Sequence, residues 1–189
     1  ARTCVLPGSG VDLAKHPVLP WPEDGKVHFL FAARVMKEKG IDLFLAAARK
    51  FANENTIFDV CGACDDEIYK SILNSEKCVV YHGEQKDMTP FYSECSCFLY
   101  PSYYPEGMSN VLLEAAASGR PVVAADRAGC RETLDDGVTG FLVPVNDEKA
   151  VLDATEKMLK MSNEERKAMG QRGSEKIRKE FDRKLVVKA

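Results

Sequence analysis

Residues 34–40 of the sequence read Arg-Val-Met-Lys-Glu-Lys-Gly and bring three cations to a segment that ends in glycine. An amphipathic stretch follows directly, so this segment is expected to lead into a helix. Cations beside the unpaired N–H groups of a helix N-terminus form a site for phosphate oxygens. A solvated charged loop is the plain alternative. The Gly-x4-Gly-Lys-Ser/Thr pattern of a P-loop is missing.

A second segment places Glu106 and Glu114 eight positions apart, with Gly107 and Ser109 between them. Glu114 is flanked on both sides by apolar residues, and we expect it to be nearly buried. An ionised carboxylate there is costly unless it is paired, either with sugar hydroxyls or with an internal Arg or Lys. Gly107 would let a ligand approach the backbone, and a helix starting near Ser109 would direct N–H groups at a phosphate.

Short apolar runs alternate with segments of helical spacing along the chain, which predicts an α/β fold with a Rossmann-like doubly wound parallel sheet. We expect two charged C-terminal helices, 148–161 and 163–181, to be surface elements. A third candidate segment, 125–132, contains Gly129 and follows a predicted strand. The predicted strands are 27–32, 56–60, 78–81, 97–100, 121–125 and 141–143, and the other predicted helices are 41–51, 66–73, 87–94, 110–118 and 131–134.

Ligands of such sheets bind at the carboxyl ends of the strands, where all of these candidate segments lie. We therefore expect Arg34, Lys39 and Glu114 to surround one crevice. The adjacent acids at 65–66 and 135–136 are interpreted as helix-cap and turn residues.

The composition is that of an ordinary globular protein, with 189 residues, 45% hydrophobic residues and a formal charge of −3. This balance gives no field that would recruit nucleic acid. No apolar run approaches the roughly 20 residues that span a bilayer. Seven cysteines are an odd number, and buried thiols in a reducing cytosol explain them better than a disulfide scaffold. A redox pair at Cys61 and Cys64, or a zinc site at Cys95, Cys97 and His82, is the disfavoured alternative.

These motifs, in this order, resemble the C-terminal donor-binding domain of a retaining glycosyltransferase of family four, with the GT-B fold of two Rossmann-like domains. The resemblance covers nearly the whole chain. The sequence at 106–110 and 130–132 is similar to that of bacterial enzymes that build surface polysaccharides on lipid carriers. The matching segments are Pro-Gly-Ser-Gly-Val-Asp at 7–12, Arg-x4-Lys-Gly at 34–40, Glu-x7-Glu at 106–114 with the Ala-Ala-Ala-Ser-Gly-Arg-Pro run after it, Gly-Cys-Arg-Glu at 129–132 and Gly-Val-Thr-Gly-Phe-Leu-Val at 137–143.

The resemblance implies a transfer, with retention, of a glycosyl group from a nucleoside diphosphate sugar to a saccharide or lipid-linked acceptor. UDP is the default donor nucleotide. Arg34 and Lys39 would hold the diphosphate and stabilise it as a leaving group, so neither a metal ion nor a cofactor is expected. Glu106 would contact the hydroxyls of the transferred sugar and Glu114 the ribose diol. The remaining donor-binding positions implied by the family are Gly62, Gly107, Met108, Ser109, Asn110 and Val111.

The predicted organisation is a leading segment and linker at 1–26 followed by a Rossmann-like donor-binding domain at 27–189. The acceptor domain of the family is absent from this sequence, so the isolated chain should bind donor and transfer little. The full-length enzyme is expected to be cytoplasmic, with peripheral contact at the inner face of the membrane. Ala33 and Ser109 stand where the family often has glycine, which affects the contacts to the sugar.

Three alternative functions remain at this point. A nucleotide-sugar epimerase shares the fold and a buried ribose-binding glutamate, and it would act without an acceptor. A non-catalytic nucleotide-binding module is the next alternative. A Rossmann dehydrogenase is disfavoured because no Gly-x-Gly-x-x-Gly follows the first strand.

Overall fold

The computed structural model of the chain describes residue 8 and residues 10–105 and 107–186. Within these residues, six strands form one sheet in the order β3-β2-β1-β4-β5-β6, and all neighbouring strands are parallel. This is the doubly wound order in which the direction of chain progression reverses between β1 and β4. The predicted Rossmann-like α/β fold is confirmed. The strands are β1 Val27–Ala32, β2 Thr56–Cys61, β3 Val80–Gly83, β4 Cys97–Tyr100, β5 Val122–Ala125 and β6 Gly140–Val143.

The helices alternate with the strands and cover both faces of the sheet. Most begin and end within two or three residues of the predicted positions. The segment predicted as a helix at 131–134 is a single 3-10 turn, Arg131–Thr133, and α7 lies where no helix was predicted. The described helices are α1 Ile41–Phe51, α2 Glu67–Ser75, α3 Thr89–Glu94, α4 Asn110–Ala117, α5 Glu148–Lys160, α6 Asn163–Glu180 and α7 Arg183–Val186.

Each face of the sheet contributes to its own hydrophobic core. On one face, Phe29 stacks on Phe58 at a centroid distance of 4.9 Å and packs beneath α1 and α5. On the other face, Leu30 and Phe98 are buried against α4 and α6. The strands are therefore apolar on both sides, which explains why they appear in the sequence as continuous apolar runs.

Strand β3 does not occupy the predicted residues 78–81 but Val80–Gly83. Cys78 and Val79, which the prediction included, precede the strand and are not paired with β2. His82 is accommodated in the strand because its Nε2 lies 2.7 Å from Asp59 Oδ1 on β2. The prediction was wrong because it followed hydrophobicity, whereas the strand's position is fixed by its pairing with β2, from Asp59–Val80 to Cys61–Gly83.

Helix α6 is charged and mostly exposed, as predicted, but one face of it is buried, which the sequence analysis did not predict. A Cβ added to Gly170 would lie 2.1 Å from the Gly119 carbonyl oxygen, so only glycine permits this close approach. Ser174 Oγ donates to the Ala117 carbonyl at 2.9 Å. The buried Arg166 guanidinium caps α5 by donating to the Met158 carbonyl at 2.9 Å. The contacts of Gly170 and Ser174 fix α6 against the C-terminal end of α4, and that of Arg166 joins α6 to α5.

The leading segment is held against the same part of the fold. The Val11 amide donates to the Phe181 carbonyl at 2.9 Å, and the Arg183 amide donates back to the Val11 carbonyl at 3.0 Å. Trp21 Nε1 donates to Asn163 Oδ1 at 2.7 Å. The Leu19 amide donates to the Ser118 carbonyl at 3.2 Å, so the leading segment also contacts the C-terminal end of α4. None of the helices described has the length and apolarity that a bilayer crossing requires.

Candidate functional site

The loops after β1 and β4 are joined at the carboxyl edge of the sheet. The Tyr103 amide donates to the Glu38 carbonyl at 2.9 Å. Gly40 has φ of +83°, and an added Cβ would lie 2.5 Å from the Pro101 carbonyl oxygen. Glycine is therefore required at this position both for its backbone conformation and for the close approach. The two loops that carry the predicted site residues form one continuous surface.

A first cavity, of about 310 Å³, lies at this edge and includes Arg34 and Gly62 in its lining. Arg34 is exposed. Gly62 has φ of +148°, and an added Cβ would lie 1.8 Å from the Ala33 carbonyl oxygen, so its packing against the β1 loop alone demands glycine. A donor contact for Gly62 stays a prediction. The lining residues are Ala32, Ala33, Arg34, Cys61, Gly62, Ala63, Glu84, Gln85, Met88 and Val111.

A second cavity, of about 220 Å³, lies between α4 and the leading segment. Here Glu114 is half-buried, with 28% of its side chain exposed. The prediction that it is nearly buried was wrong. Its Oε2 accepts a hydrogen bond from the Tyr92 hydroxyl at 3.3 Å, and its Oε1 lies 4.0 Å from His16 Nε2. The lining residues are Gly10, Val11, Asp12, Lys15, His16, Asn110, Glu114 and Arg183.

The two cavities flank one face of α4. Val111 lines the first cavity and Glu114 lines the second. These residues are three positions apart in a helix, which makes them neighbours on its surface. A ligand that follows this face of α4 would therefore reach both cavities.

Lys39 is buried, unlike a side chain of the solvated charged loop that was the plain alternative for this segment. Its Nζ donates to the Tyr100 hydroxyl at 3.3 Å and lies 4.5 Å from the centroid of the Tyr104 ring. Lys39 lines neither of the two cavities described above. Neither of them brings Arg34, Lys39 and Glu114 together, and the single predicted crevice stays a prediction.

The N-terminus of α4 faces the same edge, and its first-turn amides lack intrahelical acceptors, as in any α-helix. Ser109 precedes the helix, and its amide already donates to the Gly129 carbonyl at 2.9 Å, so this amide is not available to a phosphate. The Ser109 hydroxyl is buried and has no hydrogen-bond partner among the described residues. The loop at Gly129 is closed in turn by Glu132, whose Oε2 accepts from the Gly129 amide at 2.7 Å.

The predicted positions just before α4 have different surroundings. Gly107 is exposed, and an added Cβ would meet nothing within 4 Å, so the space above it is open. Met108 lies against Gly8 of the leading segment. Glu106 falls outside the described residues, as do Pro7 and Ser9 of the first matching segment.

The cysteines described are free thiols. Burial raises the pKa of Cys61 and of Cys95 to about 12, which removes the thiolate character that redox or metal-binding cysteines need. No group of three or more His, Cys, Asp or Glu in the described part of the chain is placed to hold a metal ion. Asp66 caps α2 by accepting from the Ile68 amide at 2.8 Å, and the cap interpretation of this acid is confirmed.

Sequence reasoning did not single out the tyrosines that contact the predicted site residues. Tyr92 lies on α3 and reaches Glu114, while Tyr100 and Tyr104 surround Lys39. Each contact joins residues distant in the chain or on different elements, so motif spacing alone gives no signal for it.

The fold is a doubly wound α/β domain, a class whose ligands bind at the carboxyl ends of the strands. Residues 26–161 match the family model described as glycosyl transferases group 1. The match covers more than half of the chain, and the chain belongs to this family. The resemblance found in the sequence is thereby confirmed.

Two relatives are named as bacterial glycosyltransferases. The capsular polysaccharide biosynthesis glycosyltransferase CapM of Staphylococcus aureus is 28% identical over 167 residues, which cover 87% of this chain and 41% of CapM. The N,N'-diacetylbacillosaminyl-diphospho-undecaprenol alpha-1,3-N-acetylgalactosaminyltransferase of Campylobacter jejuni is 28% identical over 179 residues, covering 87% of this chain and 46% of that enzyme. The chain therefore spans less than half the length of these two curated relatives.

A solved structure shows the same fold. HepE of Anabaena, crystallised with UDP and glucose, superposes with a TM-score of 0.79 at 18% identity, over 95% of this chain and 53% of HepE. At this identity the likeness establishes the fold alone. The shared fold agrees with the predicted GT-B type of domain.

Proposed function

We propose that this chain is the donor-binding half of a retaining glycosyltransferase, and that it binds a UDP-sugar along the outer face of α4. The observation that carries the proposal is the placement of Glu114. This half-buried carboxylate has one oxygen facing a cavity, and it neighbours Val111, which lines the cavity that also contains Arg34. A carboxylate at such a position suits a ribose hydroxyl, and the helix N-terminus beside it suits a diphosphate.

The proposed roles follow the charges of the site. Arg34 and Lys39 hold the diphosphate and stabilise it as it leaves, which would replace the Lewis acid of a metal ion. On donor binding, Lys39 Nζ would donate to phosphate oxygens, which is a charge-assisted contact. Backbone amides of α4 receive the β-phosphate, and Glu106 contacts the transferred sugar.

The reaction of the complete enzyme is a further part of the proposal. The sugar leaves the diphosphate and is attacked from the same face, which gives retention, and the acceptor is a saccharide or a lipid-linked saccharide. The names of the Staphylococcus and Campylobacter relatives support a polysaccharide or lipid-diphosphate acceptor. The acceptor would be bound by a second domain, so this chain alone should bind donor without appreciable transfer. Turnover by the isolated chain at the rate of a two-domain enzyme would contradict this point.

Thermal unfolding in the presence of UDP, GDP and ADP tests donor binding, with EDTA present to remove divalent ions. A ligand at 100 times its Kd adds about 2.7 kcal/mol to the free energy of unfolding. For a domain of this size, that corresponds to a rise in Tm of roughly 5–10 °C. We expect UDP to give the largest rise. If no nucleoside diphosphate raises the Tm, the proposed function is wrong.

A further inference from the structure

Tyr92 is a buried tyrosine at the back of the cavity that contains Glu114. It lies on α3 with 1% of its surface exposed, and its ring packs edge-on against Phe98 at a centroid distance of 6.1 Å. Its hydroxyl donates to Glu114 Oε2 at 3.3 Å. Burial raises the pKa of Tyr92 well above its ordinary value, so the hydroxyl keeps its proton and acts as a donor.

The contact distinguishes the two oxygens of the Glu114 carboxylate. Oε2 is directed into the protein by the Tyr92 hydroxyl, and Oε1 lies on the side of His16, 4.0 Å from its Nε2. That distance is longer than a hydrogen bond. Within the described residues, Oε1 thus accepts no hydrogen bond and is the oxygen open to a ligand in the cavity.

We propose that Tyr92 is a positioning residue which holds Glu114 Oε2 inward, so that Glu114 binds the ribose of the donor through Oε1 alone. This inference rests on the proposed function. It specifies the contact with the ribose diol, which the resemblance implied, as a single-oxygen contact whose direction is set from α3. Without the tyrosine hydroxyl, the Glu114 side chain gains rotational freedom and its carboxylate turns toward water.

The test compares the Kd of UDP with that of 2′,3′-dideoxy-UDP by isothermal titration calorimetry, in the wild-type chain and in Tyr92→Phe. The ratio of the two Kd values isolates the contribution of the ribose hydroxyls. A hydrogen bond to a charged group makes that ratio about tenfold or more in the wild type. We expect Tyr92→Phe to reduce it to about threefold or less while leaving the Kd of the dideoxy ligand unchanged. A general loss of packing would weaken the binding of both ligands to the same extent and leave the ratio of their Kd values unchanged.

Tyr69→Phe is the matched control. Tyr69 also donates its hydroxyl to a carboxylate, Asp42 Oδ2, at 3.1 Å, but between α2 and α1 and away from α4. This variant should keep the wild-type ratio. Phenylalanine preserves the ring contact with Phe98, and thermal unfolding of Tyr92→Phe checks that the fold persists. If the fold of Tyr92→Phe does not persist, Glu114→Gln provides the second test. This variant should also abolish the preference for UDP over 2′,3′-dideoxy-UDP.

The outcomes separate the inference from the proposed function. A wild-type ratio retained in folded Tyr92→Phe, or in Glu114→Gln, overturns the positioning role. Equal binding of UDP and dideoxy-UDP by the wild type overturns the ribose contact but leaves donor binding intact. Failure of the wild type to bind UDP at all removes the proposed function and the inference together.

Discussion

At the scale of single residues, tyrosines contact two charged groups of the candidate site. The Lys39 ammonium lies against Tyr100 and Tyr104, and the Glu114 carboxylate accepts from Tyr92. The contact with Tyr92 engages Glu114 Oε2 and leaves Oε1, on the side of His16, for a ligand that offers ribose hydroxyls.

Replacement of Lys39 by alanine tests its proposed contact with the diphosphate. A charge-assisted hydrogen bond contributes about 1.5–3 kcal/mol, so Lys39→Ala should weaken UDP binding by roughly tenfold or more. Isothermal titration calorimetry measures the change. Lys37→Ala is the control, because Lys37 is exposed in the 3-10 turn Lys37–Lys39 that also contains Lys39, and its replacement should leave the Kd near the wild-type value. Equal effects of the two substitutions would mean that Lys39 contributes no specific contact.

At the scale of the elements, a chain of polar side chains links the first three strands of the sheet. His28 on β1 lies between two acids, with Nδ1 3.2 Å from Asp59 Oδ2 and Nε2 2.9 Å from Asp24 Oδ2. Asp59 Oδ1 on β2 also lies 2.7 Å from His82 Nε2 on β3. The hydrogen bond that the His28 ring donates to Asp59 raises the pKa of His28, with burial acting in the opposite direction.

This raised pKa of His28 predicts a pH-dependent contribution to stability. The folded-state pKa lies above the unfolded value of about 6.5, so the contribution is fully present below that pH. It is lost as the pH rises through the folded-state pKa. The difference in the free energy of unfolding between the wild type and His28→Asn should therefore shrink from pH 6 to pH 8.5, measured by urea denaturation. A difference that stays constant or grows with pH would contradict the account, and Asp59→Asn should remove most of the dependence.

The sequence was sufficient to predict elements whose signal is local. β1 and α1 begin and end where the apolar run and the helical spacing predict them. β3 was misplaced because its position depends on pairing with β2, and the buried side of α6 was missed because Gly170 and Ser174 reveal their role only beside α4. The motif segments were likewise placed at the correct sheet edge. The tyrosine partners of Lys39 and Glu114 depend on tertiary contacts that the sequence does not encode as a pattern.

At the scale of the whole molecule, the fold brings distant parts of the chain to one side of α4. The leading segment and α7 contribute Gly10, His16 and Arg183 to the cavity that contains Glu114. The loops after β1 and β2 contribute Arg34 and Gly62 to the other cavity. We propose that a single UDP moiety lies across this face of α4, with its diphosphate at the helix N-terminus.

A crystal structure of the chain with UDP tests this claim most directly. The account predicts a diphosphate within about 3 Å of Lys39 Nζ and of first-turn amides of α4, and a ribose hydroxyl at the same distance from Glu114 Oε1. UDP bound elsewhere, for example at the cavity between β6 and α5 that Phe141 and Lys157 line, would contradict it. So would a nucleotide at the sheet edge whose ribose makes no contact with Glu114.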